Sequence, residues 1–301
     1  VAGLSAALLL SRSHIKCCVV GSFEYYGGET HNFFSRDRAK KTDLLLAALN
    51  DVERYEAFNK ITSKAVKLAK RPSGFRIELG DGSVKTCQTL IIATGTSLKE
   101  EFFNIDGIRE VWGQSLFTCP YCHGFEFTGK KIAILHSSEH DNNFVRIMSQ
   151  WSEQINYFGN GASVDENVSA FLKPLNPRNE VYSEKIKAVR HNLGSVTDIE
   201  LEGGQVIECD VIFSSDIPIK ENELIVPLGV EMIEHPQNKK KIVKTDPVGH
   251  TSVNGLYILG DARTLFSTIP GAAYEGTIAA VFIVNNIIEN RTTTKQKADT
   301  F

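Results

Sequence analysis

Residues 3–12, GLSAALLLSR, read as a helix of small residues that runs straight into a short apolar strand, IKCCVV, at 15–20. The pair reads as the second half of a βαβ unit. With a strand and a Gly-x-Gly turn ahead of Val1, Gly3 takes the place of the third glycine of a dinucleotide-binding fingerprint. Its missing side chain lets the helix close onto the sheet. The acid expected after IKCCVV to hold a ribose is replaced by Gly21, and Glu24 is the nearest carboxylate.

A second start of the same kind occurs at KKIAIL (130–135), followed by the helical pattern NNFVRIMSQWS. Two related nucleotide-type domains are the simplest reading, and 301 residues suffice for them. Between the two starts lie a helical stretch, TDLLLAALNDVERYEAF, and an alternating strand, ITSKAVKLAK. A hairpin follows, GFRIEL turning at GDGS into VKTCQTLIIATG. Beyond the second start come INYFGN, EKIKAVRHN and a hairpin within SVTDIELEGGQVIECDVIFSS. The apolar strand GLYILGDA (255–262) then leads to a last helix over about 271–289 and a polar tail, ENRTTTKQKADTF, expected to fray.

A net charge of −3 gives no reason to expect nucleic acid as a partner. No apolar run reaches the roughly 18 residues of a spanning helix. The stretch GTIAAVFIVNNII, broken by Asn285 and Asn286, reads as a buried helix. The chain starts inside a motif without Met, so its natural start is expected upstream. NVS at 167 and NRT at 290 match the glycosylation sequon and are treated as chance.

Six cysteines in a chain of this length are no disulfide framework. Cys17, Cys18, Cys87 and Cys209 sit in strand-like runs and read as small buried hydrophobes. Cys119 and Cys122 differ, lying in the Pro- and Gly-bearing segment TCPYCHGFE. Nothing in the sequence completes a four-ligand zinc site around them. His136 and His140 have helical spacing but follow a strand and read as loop. No metal site is expected.

AGLSAALLL, LIIATG, CPYCHG, and YILGDA followed by PGAAYEGTIAA, in this order and spacing, resemble the bacterial-type thioredoxin reductases and their relatives, among them FAD-dependent dithiol oxidases acting on gliotoxin- and holomycin-type dithiols. The resemblance covers nearly the whole chain. It implies an α/β fold of two Rossmann-like, doubly wound, three-layer nucleotide-binding domains, the second inserted into the first. Residues 1–112 and 218–290 would form the FAD domain, 113–217 the inserted NAD(P)-type domain carrying the cysteines, and 291–301 the tail. FAD would have its pyrophosphate at the helix starting near Gly3, where free N–H groups and the dipole favour anions. Glu24, Thr94, Gly95, Gly260, Asp261, Ala272 and Ala273 would line the cofactor. Asp261 would take the ribitol, and the helix start at Ala272–Gly276 would meet the flavin's pyrimidine edge. Cys122 would face the flavin and Cys119 would exchange with substrate. His123 stands where reductases of the family carry Asp, and an imidazole suits proton transfer at neutral pH. Cys119 and Cys122 therefore read as a redox pair.

A pyridine nucleotide needs a second glycine turn after KKIAIL, because side chains block the pyrophosphate. This chain has HSSEHDNN there and no glycine between Lys131 and Tyr157. The segment FGNGASVDEN also lacks the basic residues that hold the NADPH 2′-phosphate in family reductases. The NADPH site is read as degenerate. The expected activity is oxidation of a small-molecule or peptide dithiol through Cys119, Cys122 and FAD, with O2 as acceptor. Phe102, Phe103, Phe125 and Tyr274 are candidates for an apolar mouth, with core packing the competing reading for each. The alternatives are a disulfide reductase fed by NADPH or another donor, and a non-catalytic flavin-binding regulator. A cytoplasmic homodimer is expected.

Overall fold

The computed structural model describes residues 1–23, 28–136, 141–215, 217–235, 241–264 and 268–298, with side chains as far as Arg291. Two compact units are present. One comprises Val1–Tyr26, Lys41–Ser97 and Glu221–Phe301, the other Gly27–Lys40 and Leu98–Lys220.

The second unit is built on five parallel strands. Their spatial order is Val181–Tyr182, Ile155–Phe158, Ile132–Leu135, Val211–Ser214 and Leu116–Phe117. All four residues of Ile132–Leu135 and of Val211–Ser214 are buried, as unbroken apolar runs in a covered parallel sheet require. The pleat divides them between two cores. Ile132 and Ile134 pack with Phe144, Val145 and Met148 of the helix Asp141–Met148 and with Val168 and Leu172 of the helix Glu166–Leu175. Ala133 and Leu135 pack with Ile186, Val189, Ile199 and Leu201 from the antiparallel strands Ile186–Asn192 and Ser195–Leu201. The result is helices, parallel sheet and antiparallel sheet in three layers.

Besides a shift of residues 218–220 into the second unit, the unit boundaries depart from the expected segmentation in two larger places. Residues 98–112 join the second unit because Phe102, Phe103, Ile105 and Trp112 pack on its core, and Asp106 bridges to Ala188. Residues 27–40 join it as a short hairpin, Glu29–Thr30 with Ala39–Lys40, tied down at Asn32.

In the first unit the strand Cys17–Gly21 runs parallel to Phe58–Thr62, and Leu90–Ile92 runs parallel to Leu256–Ile258. Three antiparallel strands, Ala65–Arg71, Gly74–Leu79 and Val84–Cys87, form a separate sheet. The run read as one strand, ITSKAVKLAK, thus breaks at Ser63–Lys64. Its first part enters the parallel pair and its second the antiparallel sheet. The expected helix over TDLLLAALNDVERYEAF stops at Glu53 for the same reason, since Phe58 already starts a strand.

The N-terminal helix Ala2–Arg12 packs on the C-terminal helix Ile269–Ala298 through Ala2, Ala6, Leu10, Ala272, Ala279, Ala280 and Ile283. A side chain at Gly276 would drive into the carbonyl oxygen of Ala2, so the contact requires glycine there. The C-terminal helix continues to Ala298, through the segment expected to fray. Its portion Ile269–Arg291, with mean hydropathy 1.3, is long and apolar enough to cross a membrane by length and composition, contrary to the expectation from the run alone. Ala279, Ala280 and Ile283 are buried, but only 28% of that apolar window is, and Phe282 and Ile288 are exposed, so the helix expected to be buried is only partly so.

Candidate active site

Cys119 and Cys122 are joined as a disulfide. The strand Leu116–Phe117 delivers the chain to Cys119, which caps the short helix Pro120–His123. Proline at the first helical position has no N–H to leave unpaired. The Cys119 Sγ accepts the backbone N–H of Cys122 at 3.1 Å, a bond that strengthens when the sulfur carries charge. Gly124 ends this turn because a Cβ there would lie 2.6 Å from both the Pro120 carbonyl oxygen and the Trp151 ring. Both cysteines are half-buried, whereas Tyr121 between them is 65% exposed.

His123 stacks on Phe117, with ring centroids 3.9 Å apart, and meets the edge of His31 at 5.5 Å. His31 comes from the hairpin at 29–40, almost a hundred residues earlier in the chain. What holds it there is Asn32, whose Nδ2 donates to the Tyr121 carbonyl at 2.6 Å. The His31 ring lies between two carboxylates. Its Nε2 is 3.6 Å from Glu126 Oε1 and its Nδ1 is 3.9 Å from Asp37 Oδ1. Phe34 and Phe125 are also exposed on this unit, at 93% and 77%. Of the four aromatic residues proposed for an apolar mouth, Phe102 and Phe103 pack on the core instead. Tyr274 is exposed on the other unit.

Of the other four cysteines, all expected to be buried, only Cys209 is; Cys17 and Cys87 are half-buried and Cys18 is exposed at the outer face of its strand. All four are nevertheless poor nucleophiles. Burial pushes the Cys87 thiol up to about 11 and the Cys209 thiol up to about 12, with Cys17 and Cys18 raised for the same reason. A raised thiol pKa leaves the neutral, unreactive form at neutral pH.

The remaining candidates gather in the first unit. A Cβ on Gly3 would be 3.4 Å from Ala93, which follows the strand Leu90–Ile92 and precedes Thr94 and Gly95. A Cβ on Gly260 would be 3.5 Å from Ala2 and 3.8 Å from Ala272. Gly260 thus lies between Ala2, which precedes Gly3, and Ala272, and Ala273 follows in the same helical turn. Gly95 has φ +70° with nothing within 4 Å of where a side chain would start. The first turn of the helix Ala2–Arg12 has no side-chain cap and no acidic residue. Asp261 is exposed in the turn Gly260–Ala262, and Thr94 Oγ1 accepts Asn222 Nδ2 at 2.9 Å. Open glycine backbone beside an uncapped helix start suits an anionic pyrophosphate, so these residues fit a dinucleotide such as FAD. Glu24 lies outside the described residues.

The expected second nucleotide site presents the opposite picture. Where a pyrophosphate would meet the helix Asp141–Met148, Asp141 itself sits buried in the first turn. Its Oδ2 accepts the Tyr157 hydroxyl at 2.6 Å, and its Oδ1 accepts the Ser215 hydroxyl. His136 Nδ1 lies 2.7 Å from the same Tyr157 oxygen. His140 lies outside the described residues.

No protein-family model matches the chain. Thioredoxin reductase tcpT from Claviceps purpurea is 27% identical over 293 residues, 92% of this chain and 88% of the relative. Thioredoxin reductase aclD from Aspergillus oryzae is 25% identical, covering 95% and 93%. A crystal structure described as thioredoxin reductase TrxB from Bacillus anthracis superposes with TM-score 0.86 at 26% identity, covering 96% of each chain. The chain is thioredoxin reductase-like over nearly its whole length, an FAD-dependent oxidoreductase by that likeness.

Sequence reasoning missed several residues of this thioredoxin reductase-like chain. Glu275 accepts the Gly260 N–H at 2.7 Å and pairs with Arg263 at 3.2 Å, fixing the turn that carries Asp261. Glu126 could have been found three residues beyond His123, one helical turn away. His31 carries no local signal, because only the tertiary fold brings its hairpin to the disulfide.

Proposed function

We propose that this oxidoreductase oxidises a small-molecule or peptide dithiol to its disulfide through Cys119 and Cys122, with FAD as cofactor and O2 as acceptor. The observation that carries the direction is the buried carboxylate of Asp141, which occupies the helix start a pyridine nucleotide would need. A fixed negative charge there repels pyrophosphate and already consumes the positive end of the helix.

Residue by residue, one substrate thiolate attacks Cys119 Sγ. The Cys119–Cys122 bond breaks, and Cys122 leaves as thiolate. The second substrate thiolate then attacks the substrate sulfur of the mixed disulfide and expels Cys119 as thiolate. The Cys122 N–H bond to Cys119 Sγ stabilises that leaving group. His123 accepts the substrate's proton, with Phe117 fixing its ring plane. Bound FAD supplies a two-electron acceptor that O2 can regenerate, so dithiol plus O2 gives disulfide plus hydrogen peroxide. Gly3, Thr94, Gly95, Gly260, Asp261, Ala272 and Ala273 hold it. The exposed Tyr121, Phe34 and Phe125 offer apolar surface to a substrate. We further propose a homodimer in a reducing, cytoplasmic setting. Four free cysteines support the compartment, and the exposed Phe282 and Ile288 of the C-terminal helix offer dimer surface.

The relatives' names favour a second reading, in which the same disulfide passes electrons from a donor to a disulfide substrate. An anaerobic flavin titration separates the two. The oxidase reading expects bleaching by a small dithiol but not by NADPH, then recovery with peroxide release on admitting air. Rapid bleaching by NADPH overturns it.

A further inference from the structure

His31, His123 and Glu126 each offer a ligand atom, and these atoms lie within 4.8 Å of one another. We propose that they form a site for a divalent transition-metal ion, with Zn2+ the ion best suited to two imidazoles and a carboxylate. Tetrahedral donors at roughly 2.0–2.1 Å from zinc are about 3.4 Å apart. His31 Nε2 and Glu126 Oε1, at 3.6 Å, already have that separation. His123 needs to close by little more than 1 Å, on the order of a side-chain rotation.

The surroundings carry the inference further than the three ligands alone. A ligating histidine characteristically directs its other nitrogen at a carboxylate, which fixes the ring and raises its basicity. His31 does this, because its Nδ1 faces Asp37 at 3.9 Å while Nε2 faces the cluster. Asp37 is itself positioned by the backbone N–H of Asn32 at 2.9 Å. The His31 side chain is only 10% exposed, so its orientation is set by packing. Three protein ligands leave a fourth position open, beside the disulfide. An ion bound here takes the lone pair with which His123 would accept a substrate proton. The site therefore makes Zn2+ an inhibitor of thiol exchange.

The test is calorimetric titration of Zn2+ into the FAD-loaded, air-oxidised protein, in which Cys119 and Cys122 are closed and cannot ligate. No substrate is present, so the outcome is independent of the direction of electron flow. One saturable site is expected in the wild type and in Cys18→Ser, which removes the exposed free thiol. His31→Ala should abolish saturation, and Glu126→Gln should weaken binding by about 10-fold or more. Affinity should fall as the pH is lowered, because the metal binds only unprotonated imidazole. Co2+ added to unaltered protein should show the intense visible bands of a tetrahedral site, a readout that needs no variant. Absence of saturable Zn2+ binding, unchanged affinity in His31→Ala, or a Co2+ spectrum of the hydrated ion each overturns the proposal.

Discussion

Two helix starts in this chain have the same architecture and opposite chemistry. The helix Ala2–Arg12 opens on Ala-Gly-Leu, with no acid in its first turn and no side chain capping its N–H groups. The helix Asp141–Met148 opens on a carboxylate that is 2% exposed and receives two hydroxyl hydrogen bonds. Both pack in α/β units of the kind that bind nucleotides at helix N-termini. In the first, the positive end of the helix is left for a ligand. In the second, the protein has supplied the anion itself. On the proposed reading, a nucleotide domain keeps its layered sheet as the carrier of a disulfide while a buried carboxylate stands where a nucleotide would bind.

The comparison breaks most visibly if the first start is made like the second. Gly3→Asp places a carboxylate in the uncapped turn, and co-purified FAD should fall at least about 10-fold, read from the visible absorbance per chain. Gly3→Ala is the control for space, since its Cβ meets Ala93 at 3.4 Å, and it should retain most of the flavin. Equal loss in both variants would mean that room, and not charge, decides the site.

The converse change is smaller. Asp141→Asn removes the charge but leaves the hydroxyls of buried Tyr157 and half-buried Ser215 with a poorer partner. It should cost about 1–3 kcal/mol in urea unfolding. NADPH should still fail to bleach the flavin, because no glycine turn has been restored. Bleaching in this variant would show that the carboxylate alone had closed the site.

The sequence made the layered fold legible because its strands are unbroken apolar runs, and IAIL at 132–135 and VIFS at 211–214 could only be covered on both faces. Gly3, Gly95 and Gly260 could be proposed from sequence for a related reason, since a missing side chain is itself a statement about space. The absence of glycine after KKIAIL was readable too, yet not what replaced it. Asp141 and Tyr157 are sixteen residues apart, and Ser215 lies farther still, so their bonds exist only in the folded sheet. His31 was hidden in the same way. Its place beside His123 is set by contacts across the chain, the Asn32 bond to the Tyr121 carbonyl and its own approach to Glu126. Split strands such as 58–62 and 65–71 escaped because periodicity continues across the break while the pairing partner changes.

The finest test of the filled helix start is Tyr157→Phe. Loss of its bond to Asp141 should lower stability by about 1 kcal/mol at pH 7, less than Asp141→Asn. Its pH dependence is the sharper signature. Burial first, then the hydrogen bond and charge of Asp141, hold the Tyr157 phenol well above its ordinary 10.0. The folded protein therefore keeps a proton that the unfolded chain releases above about pH 10. With more protons bound folded than unfolded, stability falls as pH rises, and this contribution is fully present below pH 10. Melting temperatures from pH 7 to 11 should drop more steeply above pH 10 in the wild type than in Tyr157→Phe, so that the two curves converge. Parallel curves would mean that Asp141 is held by Ser215 and the helix start alone, with the tyrosine a bystander.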